Sequence, residues 1–535
     1  MIRYIPQAQL TLEGFETPFY QHLNKDNRWV KLADIIPWDK LANIYYRKMD
    51  SDFGAPSLSA RMVIGAVIIK HMLNIDDREV VAQIQENMYL QYFVGLSSFT
   101  NAVPFDPSLM VSIRYRLGQD VMEEFNQLVL QEAGVIPSIP KDAGISSDDS
   151  ANTSDPSADD EQIDSNNQED QNIAPENVEV EKKAQENTLP ENSGTLLLDA
   201  TVAEQQIEYP TDLKLLNESR QNLERMIEQV CKAQEIRRPR MYKNKARQQY
   251  LTIAKKKKKT KKQIRRGLRV QLQYVSRDLK YINNLLSTPG NLITGLSKRD
   301  WKLLQVIHET YRQQQEMYAE DKRTIEHRIV SLYQPHVRPM PRGKDRVQTE
   351  FGSKQLVMLK DGFTHVQTIN WDNFNEGTHL EESVEAYKKI YGCYPEKVSA
   401  DAIFGNKANR AYMKEHAIHF VGKQLGRPPK MSAAEKRKLQ KEMAGRNQIE
   451  GKFGQGKNGY GLQKIKARMR LTSESWIMSI YFIMNLVKLS ERAIFGLLKL
   501  MMQRFTTHHL IREQLRKLDY KIIICGVYPQ TRGKL

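Results

Sequence analysis

Apolar positions along this chain change rhythm several times. From residue 59 to about 134 they recur every three or four residues, in "ARMVIGAVIIKHML" after Ser59 and "REVVAQIQENMYLQYFVGL" after Asp76 and Asp77. A third stretch, "FDPSLMVSIRYRLGQDVMEEFNQLVLQEAG", opens at a Pro/Ser cap and stops at Gly134. Side chains that accept orphan N–H groups stand before these periodic runs, so residues 1–140 are predicted to form an all-α domain. "TLLLDA" at 195–200 breaks the rhythm: a short apolar run ending in an acid is the pattern of a buried strand whose tip opens on a site. Helical spacing returns over about 212–335, through Leu213, Leu216, Leu223, Ile227 and Val230 and again through Leu272, Val275, Leu279 and Ile282.

Strand signals follow. "KQLVMLKDGFTHVQTINW" reads as a hairpin turning at Lys360–Asp361–Gly362, and "YPEKVSADAIFG" as a strand running into Asp401. "EESVEAYKKIYG", ending at Gly392, and "NRAYMKEHA" are helices, "IHFVG" is a strand, and 431–490 is helical apart from a glycine-rich stretch. The sum is an α/β core over 195–490 with a helical insertion after its first strand, an all-α domain before it and a tail at 491–535.

Charge sharpens this division. The 535 residues carry a formal net charge of +16. Residues 141–194 hold 15 acids against 3 lysines, net −12, so the remainder carries +28. That acidic segment, nearly devoid of aromatics, cannot bury enough apolar surface to fold and reads as a disordered linker; the alternative is a DNA-mimicking strip that competes for basic surfaces. Residues 236–269 are its opposite, with 16 Lys/Arg and no acid, among them Lys255, Lys256, Lys257, Lys258 and Lys259. Such a run neutralises phosphates without reading sequence, which points to nucleic acid. Arg114 and Arg116 on a short capped helix suit a helix-turn-helix-like contact to DNA, and a plain helical bundle with solvated arginines fits the same spacing.

Three scattered cysteines exclude a disulfide scaffold and a Cys-based zinc site, and His416 and His419 lack cysteine partners. "MIRYIPQAQLTLEG" has no apolar signal core, and the most apolar late stretch is interrupted by Lys488, Glu491 and Arg492. These features place the chain in the cytoplasm, associated with the nucleoid, with no membrane contact.

One stretch raises a rival chemistry. "GKFGQGKN" at 451–458 is one residue short of a phosphate-binding loop, but Asn458 stands where Ser/Thr belongs and a charged helical run precedes it instead of a strand. Just upstream, Arg446, Glu450 and Lys457 are spaced to share one face of a continuous helix. Glu450 joins two acids at strand ends, Asp199 and Asp401, as a candidate carboxylate cluster for Mg²⁺.

At these residues "LLLDATVAEQQIEYPTDLKLLNESR", "KVSADAIFGNKANRAYMKEH" and "RNQIEGKFGQGK" resemble the three active-site blocks of bacterial insertion-sequence DDE transposases. Residues 59–117 are similar to the N-terminal domain accompanying them. The third family block reads Tyr-x2-Arg-x3-Glu-x6-Lys; this chain has Arg446, Glu450 and Lys457 at the matching intervals and Met443 in place of the tyrosine. The resemblance implies an RNase-H-like catalytic core in which Asp199, Asp401 and Glu450 hold two Mg²⁺ ions, with Mn²⁺ able to substitute. It also implies a homodimer on paired double-stranded element ends, metal-activated water cutting the DNA, and a 3′-hydroxyl joined to target DNA. An RNase-H-like nuclease without strand transfer and a catalytically silent DNA-binding descendant are the alternatives.

Overall fold

The computed structural model describes residues 22–47, 49, 57–136, 191–287, 295–341, 349–423, 426 and 432–493. All but the last four residues of the acidic linker, and the tail beyond 493, lie outside them.

Seven helices occupy the described residues from 22 to 136: α1 (Arg28–Ile35), α2 (Trp38–Tyr46), α3 (Ala60–Leu73), α4 (Asp77–Glu86), α5 (Met88–Phe93), α6 (Leu109–Arg116) and α7 (Gln119–Glu132). Two of the expected caps are made by side chains, whereas Ser108 at the expected Pro/Ser cap makes no side-chain cap bond. Ser59 accepts from the Met62 N–H, and Asp76 from those of Arg78 and Glu79. Two expected long helices are each split. Asn87 ends α4 and caps α5 through its side chain, because its amide oxygen competes with the helical ladder. Leu117 and Gly118 separate α6 from α7.

The core begins with β1 (Thr195–Gln205), followed by four insertion helices, α8 (Asp212–Ala233), α9 (Lys243–Ala254), α10 (Lys261–Leu286) and α11 (Lys298–Ala319). They close a core of their own, in which Leu216, Leu223 and Ile227 meet Leu272, Val275, Leu279, Ile282, Leu303 and Ile307. Arg220, on the apolar stripe of α8, is buried with its two Nη atoms donating to Glu224 at 2.6 Å and Asn217 at 2.9 Å.

After the insertion come β2 (Arg338–Pro341), β3 (Thr349–Lys360), β4 (Phe363–Asn370), α12 (Leu380–Tyr391), β5 (Lys397–Ala400), α13 (Lys407–Glu415) and β6 (His419–Val421). The chain continues through α14 (Ala433–Ala444), α15 (Asn447–Gly459), β7 (Lys464–Ile465) and a helix over 470–493, here α16. The β3–β4 turn lies at Asp361 and Gly362, with φ of 53° and 84°, the left-handed pair that a two-residue hairpin requires. The sheet runs β2-β3-β1-β5-β6, with β4 also on β3 and β7 also on β1; β3 pairs antiparallel with β1, β2 and β4, while β5, β6 and β7 join in parallel.

Alternation along β1 divides the two faces. Leu196 and Leu198 point with Leu356 and Met358 toward α12 and α13, and Leu197 points with Val357 and Leu359 toward α15 and α16. The N-terminal helices join this second face. They share one continuous apolar cluster with α16 and β4, and the Phe125 and Phe482 rings stand 5.5 Å apart.

Candidate active site

The strand register accounts for the first two acids. In the parallel β1–β5 pair Leu198 lies opposite Ala400, so Asp199 and Asp401 are the next residues on neighbouring strands, whose spacing is about 4.8 Å. Leu198 and Ala400 are buried on the α12 side, which turns the following residues toward α15. Asp199 Oδ1 accepts from the Ala200 N–H at 2.8 Å, and Asp401 caps a short 3-10 turn, accepting from Ala402 N–H at 2.7 Å.

Glu450 arrives from the other layer. Ile449 and Phe453 bury one side of α15 in the apolar cluster, leaving the Glu450 side chain about half exposed. Arg446 links the acids: its Nη1 is 2.9 Å from Asp401 Oδ1 and its Nη2 is 2.8 Å from Glu450 Oε1. The expectation of one continuous helix carrying Arg446, Glu450 and Lys457 needs correction. α14 ends at Ala444, and Arg446 is the residue before α15, with helical angles that keep the four-residue reach to Glu450. "GKFGQGKN" lies inside α15, so it forms no phosphate loop; Gly451 and Gly454 meet open space, and Gly456 lies close under Leu462 and Met484.

Asp199 is the acid left without such a partner. Burial, reinforced by the nearby charges of Glu376 and Asp401 and opposed by the Ala200 N–H and Arg446, pushes its carboxyl up to about 6. Glu376 is a residue that sequence reasoning missed. It forms an ion pair at 2.8 Å with Lys354 of β3, both largely buried. Asn409 ties its turn to that of Asp401 by donating to both Gly377 O and Phe404 O. Nothing local in "NFNEGTH" reveals this, since the neighbourhood arises only when the β4–α12 turn folds onto the β5–α13 turn.

The donor set is carboxylate oxygen, the chemistry that Mg²⁺ prefers. As they stand, though, no group of three or more His, Cys, Asp or Glu among the described residues could hold a metal ion. Arg446 stands among the acids, its guanidinium paired with two of the three.

The remaining candidates lie elsewhere. Lys457 is half-buried on α15, and Met443, at the expected tyrosine position, is exposed on α14. Lys255 to Lys259 form the exposed link between α9 and α10. Arg116 is exposed on α6, whereas Arg114 is buried. Its Nη1 and Nη2 grip Asp77 at 2.9 and 2.8 Å, and its guanidinium lies 5.3 Å from the Trp476 ring of α16. In this structure it joins the N-terminal helices to the core and turns no charge outward.

Two segments of the chain match known families. Residues 17–116 match a transposase domain (DUF772), and residues 398–487 match a transposase DDE domain, a block that contains Asp401, Arg446, Glu450 and Lys457. The two matches, in this order, support an insertion-sequence DDE transposase. The first covers α1 to α6 of the chain, and the second runs from β5 into α16. Over 114 residues, 21% of its length, the chain is 32% identical to an uncharacterized protein, ORF8 in the nfe locus of Rhizobium meliloti. It spans about half (53%) of that relative. No solved structure matches. DDE domains of this kind generally depend on a divalent metal. Among the described residues no helix is long and apolar enough to cross a membrane.

Proposed function

We propose that this transposase binds the ends of its element as duplex DNA, two copies pairing two ends, cuts there, and joins the released 3′-hydroxyl to target DNA. The observation that carries the reading is the guanidinium of Arg446, shared between Asp401 and Glu450 beside Asp199, acids separated by 202 and 49 positions in sequence. A sheet of antiparallel strands on one side of β1 and parallel strands on the other supports an RNase-H-like core.

Asp199, Asp401 and Glu450 would hold Mg²⁺, or Mn²⁺ in its place, which when bound supplies Lewis acidity to in-line displacement at a phosphodiester. In the first displacement a water oxygen attacks phosphorus and the 3′ oxygen departs as the hydroxyl. In the second, that hydroxyl attacks a target phosphodiester, whose own 3′ oxygen departs as a hydroxyl. Arg446 exchanges its two carboxylates for a phosphate of the incoming strand, whose geometry its fork also fits. Lys457, two turns along α15 from Glu450, lies farther down the same strand.

Asp401→Asn tests this. Cleavage and joining should both fall below detection, while duplex affinity stays within about twofold, because binding rests on Lys and Arg. Cleavage by the variant at the wild-type rate overturns the assignment. Cleavage without joining by the wild-type protein identifies a nuclease instead.

A further inference from the structure

We propose that the groove between α10 and α11 of the insertion is a binding site for single-stranded DNA, an inference resting on the DNA-handling reading above. The groove encloses about 520 Å³. One wall is a face of α10 carrying Arg269, Gln273, Arg277 and Lys280, at three- to four-residue spacing; the other is the face of α11 carrying Tyr311, Gln315 and Tyr318. Tyr281 also lines it, and none of its lining residues is acidic.

The cations in and around it are used in two ways. At its edge, Lys261 and Arg265 pair with Asp321 at 2.7 and 2.9 Å, and Arg312 pairs with Glu309 and Glu316. Inside it, Arg269 and Lys280 are exposed and have no acidic partner among the described residues. Arg277 is fixed by Asp278 and by Met241 O, which hold its guanidinium 5.0 Å from the Tyr274 ring and 5.9 Å from Tyr281 and Tyr242. Arg265 likewise lies 4.4 Å from the Tyr318 ring. Guanidinium groups thus already lie near tyrosine rings, with two unneutralised cations beside them.

That combination selects the occupant. Duplex DNA presents phosphates but hides its base faces in the stack, so it can satisfy Arg269 and Lys280 and leave the tyrosines unused. A single strand offers phosphates and base faces together, and base stacking on aromatic rings is tolerant of sequence. The lysine run at 255–259 leads into α10, so positive charge continues from the exposed link to the groove.

The test uses the full chain with fluorescent oligothymidylate and a fluorescent duplex, read by anisotropy. Tyr311→Ala should weaken single-strand binding about tenfold, and Tyr311→Phe, which keeps the ring, by less than about twofold, with duplex affinity unchanged in both. Because Tyr311 also packs against the insertion core, Arg269→Ala with Lys280→Ala provides a surface variant that leaves the fold intact. It should lower the single-strand salt slope by roughly 1.4. An oligonucleotide carrying 5-iododeoxyuridine should photo-crosslink to a peptide of α11. Single-strand affinity unmoved by these changes, or a crosslink mapping only elsewhere, overturns the groove. Wild-type protein that binds duplex but no single strand overturns the groove alone, whereas failure to bind duplex overturns the reading beneath it.

Discussion

Arg446 has two competing partners, and its choice sets the state of the site. In the structure it neutralises Asp401 and Glu450 at 2.9 and 2.8 Å. Both carboxylates are about half exposed, so solvent screens these pairs and they hold weakly. A phosphate or a divalent ion can therefore displace them at small cost. Arg446→Ala is expected to raise Mn²⁺ affinity several-fold by calorimetry, since two acids lose their internal counter-charge, and to slow joining at the same time. Arg446→Lys should keep the charge but lose the fork, restoring joining only in part. Unchanged Mn²⁺ affinity in the alanine variant would show that the guanidinium does not guard the acids.

At the scale of elements, the contact of α7, β4 and α16 is held by a buried polar knot. Asn485 Oδ1 accepts from the N–H and hydroxyl of Thr364 at 2.8 and 3.0 Å, and its Nδ2 donates to Thr364 O and to Asn126 Oδ1 at 2.6 Å each. Truncating one member leaves the others buried and unsatisfied, and each such group costs about 1–3 kcal/mol. Asn485→Leu should therefore destabilise the protein by about 3 kcal/mol in denaturant melts, well above an exposed substitution such as Lys464→Ala. A second contact joins α3, α4 and α6 to α16. Lys70, His71 and Arg114 all meet the Trp476 ring, and Asp77 anchors both Lys70 and Arg114.

This second contact gives the whole molecule a pH dependence. Burial, with Lys70 and Arg114 nearby, pushes His71 down to about 3 from its ordinary 6.5. The folded protein thus refuses a proton that the unfolded chain accepts, so the stability His71 contributes is intact above pH 6.5 and is lost as pH falls toward 3. Burial alone would raise the Asp77 carboxyl, but the hydrogen bonds and charges of Arg114 and Lys70 hold it below 3.8, so its contribution persists above that value and fails in stronger acid. Between pH 7 and 4.5, His71→Gln should gain about 2–3 kcal/mol relative to the wild type, measured by denaturant melts at both pH values. A constant difference would show that His71 titrates normally. The basic insertion acts on the same scale through salt. Replacing Lys255 to Lys259 with Gln should flatten log K against log salt for duplex binding by up to roughly 4, equally for all sequences.

Much of this architecture was legible in the chain itself. The caps at Ser59 and Asp76, the hairpin at Asp361–Gly362 and the strand running into Asp401 are local chemistry, set by side chains within a few positions; the first strand, expected to end at Asp199, instead runs on to Gln205 because β3 continues to pair with it. The spacing of Arg446 and Glu450 belongs there too, because a four-residue reach is a property of helical backbone. Tertiary structure decided the rest, since the deciding partners are distant in sequence. Arg114 carries the same charge as Arg116, yet Trp476 and Asp77 draw only Arg114 inward. Glu376 joins the site only because two turns pack together. Local pattern states what each segment becomes; burial and charge, which depend on what folds against it, decide which of its residues remain available for chemistry.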